Sequence, residues 1–386
     1  MTEHIPGFTS TGSKRPETIF GSPEPDLPSR MTRSSGCRVW DEQGREYTDY
    51  IMGLGSVALG YAHPEVTRAV TVAAGNGVVG PLAPVLEEEV AGEICRLIPW
   101  IEQVRFLKTG AEAMAAAVRL ARVFTGRDHV LGCGYHGWLD WTSSAAGVPA
   151  SVTFLYDTVP FNDVEKTRRI IRAVGHRLAC VIVEPVIGAE PDPAWFATLR
   201  NETSRAGALL VIDEVKTNCR LAIGGATERY GLEPDLVVLG KAMANGFPLA
   251  AVGGRQGVME RVADTWISST LATEFLSLAA ARACLGVMER EKVPATLHRT
   301  GTRLLQGLGR LADEFPDLVT RAVGVPEMCH LEYRDDATSQ AVAVGVARRG
   351  VLWKRTAYNF VSLAHDDAVV DQVLDTLAET LRDLRK

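Results

Sequence analysis

The feature that most constrains the fold is a regular alternation of strand-like and helix-like segments between residues 64 and 255. Short apolar runs, several of them β-branched, are separated by longer stretches with helical periodicity. A helix between consecutive strands makes a crossover connection, so the pattern predicts an α/β fold with a mainly parallel central sheet covered on both faces. The predicted strands are residues 104–107, 129–131, 180–183, 208–212 and 236–239.

The flanking segments predict an N-terminal arm and a second, smaller domain. Residues 1–35 are rich in Pro, Gly, Ser and Thr, which is typical of an extended arm, and residues 37–50 alternate around a turn as in a β-hairpin. The tail mixes strand-like runs with a final amphipathic helix at 366–384. We predict an arm and hairpin that pack with the small domain (1–60), a large domain (61–285) and a C-terminal small α+β domain (286–386).

Composition and charge exclude several classes of protein. The net charge is −6, and no block of basic residues suggests nucleic-acid binding. The sequence holds neither the apolar segment of a signal peptide nor an apolar run of roughly 18 residues, so we expect no membrane partner. Seven scattered cysteines without a CxxC motif predict free thiols in a reducing, cytoplasmic setting. The histidine spacing predicts no metal site.

Ionisable or hydrogen-bonding residues follow the predicted strands. In an open α/β sheet, ligands bind beyond the carboxyl ends of the strands. A purely structural sheet gives no reason for this placement, so the sequence predicts a functional site at that edge. In chain order the residues are 109–112, 135–137, Glu184, Asp213 with Glu214, and Gly240 with Lys241.

Lys241 and Asp213 each allow two interpretations from their positions alone. Lys241 is an amine whose pKa falls on burial and that can form a Schiff base, or a strand-end lysine that extends to water. Asp213 is a carboxylate that pairs with a protonated pyridine nitrogen, or one bridged to a core arginine such as Arg220.

The residues after the first two strands also allow two interpretations each. Thr109 and Glu112 fit a helix capping box, and the same free N–H groups could bind a phosphate. Tyr135 could stack on a cofactor ring and His136 could hold it, whereas an aromatic in the core is the commoner use.

A glycine motif offers a competing hypothesis. Gly132, Gly134 and Gly137 match GxGxxG after a strand, as in a nicotinamide-dependent dehydrogenase. That fingerprint also needs a helix directly after its third glycine, and residues 138–149 are rich in turn formers instead. The motif therefore gives weak support to a dinucleotide site.

Taken together, the motifs resemble the class III, ornithine-type family of pyridoxal-phosphate (PLP) enzymes, with most similarity to glutamate-1-semialdehyde aminomutase-like members. Asp-Glu-Val followed 28 residues after its aspartate by Gly-Lys is highly specific, and the stretches run in the family's order across nearly the whole chain. The similar stretches are residues 40–50, 59–66, 104–113, 135–137, 183–186, 212–217, 240–241 and 360–365.

The resemblance implies fold type I, the aspartate aminotransferase fold, and a cofactor that alternates between PLP and pyridoxamine phosphate. Lys241 would hold PLP as an internal aldimine, and Asp213 would pair with the pyridine nitrogen; these two are the expected catalytic residues. Val215 would pack on one face of the ring and Tyr135 on the other, next to His136.

Further residues are implied to bind the cofactor's periphery. Thr109, Gly110 and Ala111 would bind the phosphate through main-chain N–H groups. Thr270 resembles a threonine that reaches the phosphate of the neighbouring subunit, which implies a homodimer with a shared active site. Glu184 would fix hydrogen bonds of the site.

The sequence also departs from the family pattern. Residues 273–275 replace Gly-Asn-Pro, Lys216 replaces Gln or Met near the ring hydroxyl, and Ala111 lacks a usual hydroxyl. Ala189 stands where ornithine-type members have a glutamate, and residues 360–363 lack its arginine partner, which disfavours an ornithine or 4-aminobutyrate substrate.

The resulting hypothesis is an aminotransferase that moves an amino group from a small donor amine or amino acid to a ketone or aldehyde by a ping-pong mechanism. Candidate substrate residues are Arg15, Arg355 and Trp138, and Trp138 with Trp141 would narrow the mouth for a cyclic or aromatic keto substrate. In glutamate-1-semialdehyde aminomutases a long gating loop follows Tyr-His-Gly, whereas here only residues 138–147 stand before the resemblance resumes at 148. The resemblance therefore implies that this loop is deleted, which disfavours an aminomutase. A racemase or epimerase, a dehydrogenase and a PLP-free scaffold remain as alternatives.

Overall fold

The computed structural model of the 386-residue chain describes residues 4–22 and 24–386. The predicted arm includes residues 1–3 and 23, which lie outside the described residues. By contacts, the chain forms two compact units. The larger is Pro64–Pro294, and the smaller joins the described residues up to His63 with Ala295–Lys386. The three-segment division of the chain stays a prediction.

The described residues contain fourteen strands. They are β1 (Met31–Ser35), β2 (Arg38–Asp41), β3 (Glu46–Asp49), β4 (Gln103–Leu107), β5 (His129–Cys133), β6 (Tyr156–Thr158), β7 (Leu178–Val183), β8 (Leu209–Asp213), β9 (Leu236–Leu239), β10 (Ala250–Gly254), β11 (Val319–Val325), β12 (Met328–Tyr333), β13 (Val351–Leu352) and β14 (Asn359–Phe360).

The same part of the chain contains fourteen α-helical segments. They are α1 (Pro16–Phe20), α2 (Met52–Gly55), α3 (Pro64–Gly75), α4 (Val85–Leu97), α5 (Gly110–Thr125), α6 (Ala150–Thr153), α7 (Val164–Val174), α8 (Pro193–Ala206), α9 (Gly225–Tyr230), α10 (Gln256–Met259), α11 (Phe275–Arg290), α12 (Val293–Glu314), α13 (Asp336–Arg348) and α14 (Asp367–Leu384).

The larger unit is built on a seven-stranded sheet in the order β4-β10-β9-β8-β7-β5-β6. Neighbouring pairs among β9, β8, β7, β5 and β6 are parallel, and β10 is antiparallel to both β4 and β9. Every residue of β7 and β8 is buried, as expected of strands covered on both faces. The predicted α/β class with a mainly parallel central sheet is confirmed.

Helix α5 shows how the sequence places a helix against this sheet. Its alanines at 113, 116, 117 and 121 are buried and share one apolar core with side chains of β8, β9 and β10. Small side chains on that face allow the helix backbone to approach the strands closely. The amino end of α5 is thereby fixed beside the end of β4.

The smaller unit contains two sheets. One has the order β1-β2-β3-β13 and includes the predicted hairpin as β2 and β3, and the other has the order β11-β12-β14. The expectation of an extended arm is wrong for residues 16–20, which form α1. Pro16 occupies the first turn, where its missing N–H costs nothing, and Phe20 is buried with Leu27 and Val344.

Candidate active site

Three loops at the carboxyl edge of the large sheet meet around Val215. A Cβ atom added to Gly110 would lie 3.1 Å from a Val215 methyl carbon, and one added to Gly240 would lie 3.5 Å from the same methyl. These residues follow β4, β8 and β9, three strands whose carboxyl ends share one edge of the sheet. Val215 therefore forms the wall between the amino end of α5 and the Lys241 loop.

Asp213 ends β8 and pairs with His136. His136 Nδ1 lies 2.8 Å from Asp213 Oδ2, and the Val215 N–H donates to Asp213 Oδ1 at 3.1 Å. Both side chains are buried, and His136 Nε2 has no hydrogen-bond partner within the described residues. The imidazole fixes the direction of the carboxylate, so Asp213 presents an oriented negative charge at the sheet edge.

Lys241 begins the turn that follows β9, with its backbone in the left-handed region at φ 45°. A non-glycine residue in this region is strained, and such strain gathers at functional sites. Burial and then the nearby positive charge of Lys216 lower the pKa of Lys241 to about 8, against the opposing effect of Asp213. At neutral pH, about one amine in ten is therefore uncharged and nucleophilic.

The amino end of α5 keeps two main-chain donors free. A complete capping box is present: Glu112 N–H donates to Thr109 Oγ1, and Thr109 N–H donates to Glu112 Oε2 at 2.9 Å. In the described part of the chain, the N–H groups of Gly110 and Ala111 make no hydrogen bond. The positive end of a 16-residue helix thus offers two donors to an anion, and the Thr109 N–H serves the cap.

A second ion pair braces this helix end. Lys108 Nζ donates to Glu274 Oε1 at 2.7 Å and to Ser277 Oγ at 3.1 Å. Glu274 also caps α11 by accepting from the N–H groups of Leu276 and Ser277. One carboxylate therefore ties the loop after β4 to the start of α11.

Glu184, which follows β7, lies under the loop after β5. Its Oε1 is 3.0 Å from Lys216 Nζ, and its Oε2 accepts from Tyr135 N–H at 3.2 Å. Only 11% of the Lys216 side chain and 14% of the Glu184 side chain are exposed. Lys216 directly follows Val215, whose methyl carbon lies 3.5 Å from a Cβ added to Gly240, so this buried ion pair belongs to the same group of loops as Lys241.

The three glycines of the GxGxxG match have separate steric causes. A Cβ at Gly132 would overlap the Tyr156 hydroxyl, one at Gly134 would lie 2.6 Å from Glu184 Oε2, and one at Gly137 would lie 2.7 Å from Ala111 Cβ. Residues 138–149 contain no helix, so the dinucleotide fingerprint is incomplete. The glycines instead allow the loop after β5 to pack against neighbouring elements, and the last of them joins it to α5.

The aromatic residues of this loop differ in exposure. Tyr135 and Trp138 are 70% and 73% exposed. Trp141 is only 8% exposed, and its ring stacks towards His136 with centroids 6.3 Å apart. The prediction that Trp141 narrows the mouth of the site is therefore wrong, because its indole is buried and packs against the His136 ring.

The structure does not bring every candidate residue together. Thr270 is exposed at the start of a 3-10 turn packed against β4, and it hydrogen-bonds none of the other candidates. Arg15 and Arg355 belong to the smaller unit. Arg355 forms an ion pair with Asp336 there and donates to Ser339 Oγ at 3.1 Å. The substrate roles of both arginines stay predictions.

From the sequence, Lys216 is recognisable only as an added charge, and neither its partner nor the Lys108–Glu274 pair is predicted. The sequence does contain an indication of the Glu184–Lys216 pair. Glu184 and Lys216 follow β7 and β8, which are adjacent in the sheet, so opposite charges at the same edge could have been paired. No comparable signal links Lys108 with Glu274, because 166 residues separate them.

The described residues also limit other interpretations. No helix among them is long and apolar enough to cross a membrane. None of their His, Cys, Asp and Glu side chains form a group of three that could hold a metal ion. All seven cysteines lie in this part of the chain as free thiols.

Comparison with solved structures identifies similar folds over nearly the whole chain. The PLP internal aldimine form of the FumI protein from Sphingopyxis sp. MTA144 is 25% identical, with a TM-score of 0.92 over 99% of this chain and 94% of that chain. A β-phenylalanine aminotransferase from Variovorax paradoxus is 27% identical, with a TM-score of 0.88 over 98% and 91%. A glutamate-1-semialdehyde aminomutase from Pseudomonas aeruginosa PAO1 shares the fold at 24% identity, with a TM-score of 0.83 over 92% and 88%.

These structures have the PLP fold type I architecture, which confirms the predicted fold. The sequence model of the family described as aminotransferase class-III matches residues 20–384. The match spans the site built from β4, β5, β7, β8 and β9. The chain is therefore a member of the class III aminotransferase family.

Proposed function

We propose that this aminotransferase is PLP-dependent and moves an amino group from a small donor amine or amino acid to a ketone or aldehyde in two half-reactions at Lys241. The observation that carries the proposal is an amine of lowered pKa beside an oriented, buried carboxylate at the edge of an α/β sheet. The relatives described as holding PLP and as a β-phenylalanine aminotransferase support it.

The residues present fit the cofactor. Gly110 and Ala111 offer two unpaired N–H groups to its phosphate, Asp213 offers a carboxylate to its ring nitrogen, and Val215 offers an apolar wall. Lys241 offers the amine for the covalent link. When bound, PLP supplies the carbonyl that receives the amino group, becoming pyridoxamine phosphate, and a ring that takes up electrons as a C–H bond breaks.

The chain's own residues supply proton transfer and electrostatics. Lys241 Nζ would accept a proton from the amino-bearing carbon of the donor and would pass it to the cofactor carbon that keeps the amino group, which its pKa of about 8 permits near neutral pH. Asp213, held by His136, keeps a negative charge directed at the ring nitrogen. Tyr135, at the open side of the loop, covers the remaining ring face.

The short connection after Gly137 favours transfer between molecules over rearrangement within one. Residues 138–149 form turns, and Trp138 is largely exposed. An aminomutase must keep a half-reacted intermediate enclosed, which calls for a lid. We expect this site to release the first product and admit a second substrate.

This expectation is tested by separating the half-reactions. We expect the PLP-loaded protein to take up one amino group per site from a nitrogen-15-labelled donor and, after the donor is removed, to pass the label to an added keto acceptor. Mass spectrometry of both products measures the transfer. Isomerisation of a single amino substrate, with no nitrogen-15 exchanged between molecules, contradicts the proposal and favours a mutase.

We further propose a homodimer in which Thr270 reaches the phosphate bound by the neighbouring subunit. Thr270→Ala should weaken cofactor retention several-fold, and dilution of the dimer should release cofactor from the parent protein, because dimerisation and binding are then linked. Equilibrium dialysis and sedimentation velocity measure the two effects. Thr273→Ala, in the same 3-10 turn, serves as the control. A monomer with full cofactor occupancy excludes the shared site.

A further inference from the structure

Lys216 is an additional, largely buried basic residue of the site. It follows Asp213 by three residues, its side chain is 11% exposed, and its Nζ lies 3.0 Å from Glu184 Oε1. Burying a lysine costs free energy unless a partner or a function compensates. Glu184 is that partner, and the pair lies where the loops meet around Val215, because Lys216 directly follows Val215 and Gly240 directly precedes Lys241.

Charged side chains as well as burial influence the pKa of the Lys241 amine. Lys216 and Arg220 disfavour its protonation, whereas Asp213 and Glu184 favour it. After burial itself, Lys216 has the largest influence of the four. A positive charge that is fixed near a buried amine disfavours protonation of that amine. Glu184 lies at ion-pair distance from Lys216 and so holds that positive charge in place.

We propose that Lys216, held in place by Glu184, is a positioning residue that keeps Lys241 in its neutral, reactive form through charge repulsion. The Glu184–Lys216 pair would then set the pH at which Lys241 becomes a nucleophile. This inference rests on the proposed function only for the use that amino-group transfer makes of a neutral Lys241. The effect of Lys216 on the Lys241 amine is expected in the protein without substrate or cofactor.

The test measures the titration of Lys241 in the full-length chain freed of cofactor. Competitive labelling of amines with a trace acylating reagent from pH 6 to pH 11, followed by peptide mass spectrometry, gives the midpoint for Lys241. Lys216→Met removes the charge and keeps a chain of similar length. We expect the Lys241 midpoint to rise by about one pH unit, which lowers the amine fraction at neutral pH about tenfold. Lys216→Arg keeps the charge and should leave the midpoint close to that of the parent.

Glu184→Gln supplies a test of sign. Removing the negative partner leaves the Lys216 charge in place, so the Lys241 midpoint should fall, opposite to the Lys216→Met shift. The double variant Glu184→Gln, Lys216→Met should return towards the parent value. If the substitutions only loosened the site, the Lys241 midpoint would shift in the same direction in every variant. Thermal unfolding checks that each variant folds.

Several outcomes overturn the proposal. The midpoint could be unchanged in Lys216→Met, Lys216→Arg could behave as Lys216→Met does, or Glu184→Gln could shift the midpoint upward. Failure of the proposed function is seen separately, as absence of amino-group transfer in the parent protein. The cofactor-loaded variants give a second readout, because Lys216→Met should move the alkaline limb of the visible absorbance titration while Lys216→Arg should not.

Discussion

Replacing Lys241 with alanine is expected to abolish amino-group transfer, with kcat lowered by about a thousandfold or more, because the chain loses both its covalent anchor and its proton carrier. Borohydride treatment should no longer attach the cofactor to the chain. The phosphate donors at Gly110 and Ala111 and the Asp213 carboxylate remain, so cofactor should still bind without a covalent link. Steady-state kinetics and peptide mass spectrometry measure the two effects.

Folding should survive this change. Because the pKa of Lys241 lies below the value of an ordinary lysine, the folded state binds its proton less well than the unfolded state does. At neutral pH the buried amine therefore opposes folding, and its removal should leave the unfolding temperature unchanged or raised. Lys292→Ala is the matched control, since Lys292 also has positive φ, at 50°, and is exposed. Activity close to that of the parent in Lys241→Ala rules out the proposed role.

A small amine in solution separates proton transfer from anchoring. Methylamine is small enough to take the place of the lost amine, so we expect it to restore part of the activity of Lys241→Ala in proportion to its uncharged fraction. If the restored activity increases as the pH rises through the pKa of the added amine, Lys241 acts as a base in the parent protein. A rate insensitive to amines shows that Lys241 supplies only the covalent link.

The core of this site was predictable because strand ends are visible in sequence. Val211 and Ile212 precede Asp213, and Val237 to Leu239 precede Gly240 and Lys241, so the apolar runs locate the residues that follow them. Parallel strands bring those residues to one edge. The placement of Asp213 and Lys241 on that edge required only strand recognition and the crossover rule.

Other features depend on tertiary contacts that no local pattern records. Strand β10 was missed because its residues, Ala-Ala-Val-Gly-Gly, have low strand propensity, and it is stabilised by pairing on both sides. Trp141 was placed at the mouth, although its indole is buried against His136, since sequence gives no direction for a side chain in an irregular loop. The Lys108–Glu274 pair joins positions that meet only in the folded chain.

Replacing Asp213 with asparagine should lower kcat by about a hundredfold to a thousandfold while leaving the fold intact, because a neutral amide cannot hold the charge of the ring nitrogen. The amide oxygen can still accept from Val215 N–H, so the local hydrogen bonding is largely kept. Asp157→Asn is the matched control: Asp157 also pairs with a histidine, at 3.0 Å from His129, but its side chain is 65% exposed. We expect that control to retain the parent rate.

The direction in which Asp213→Asn shifts the pKa of Lys241 shows how Asp213 acts. Its negative charge favours protonation of Lys241, so Asp213→Asn should lower the pKa of Lys241 and increase the fraction of free amine at neutral pH. If Asp213 worked only through Lys241, the variant would be at least as fast as the parent at that pH. A slower reaction with a more readily deprotonated lysine therefore assigns the loss to the ring nitrogen. Parent-like rates, with Lys241 titrating as expected, would instead make Asp213 a structural partner of His136.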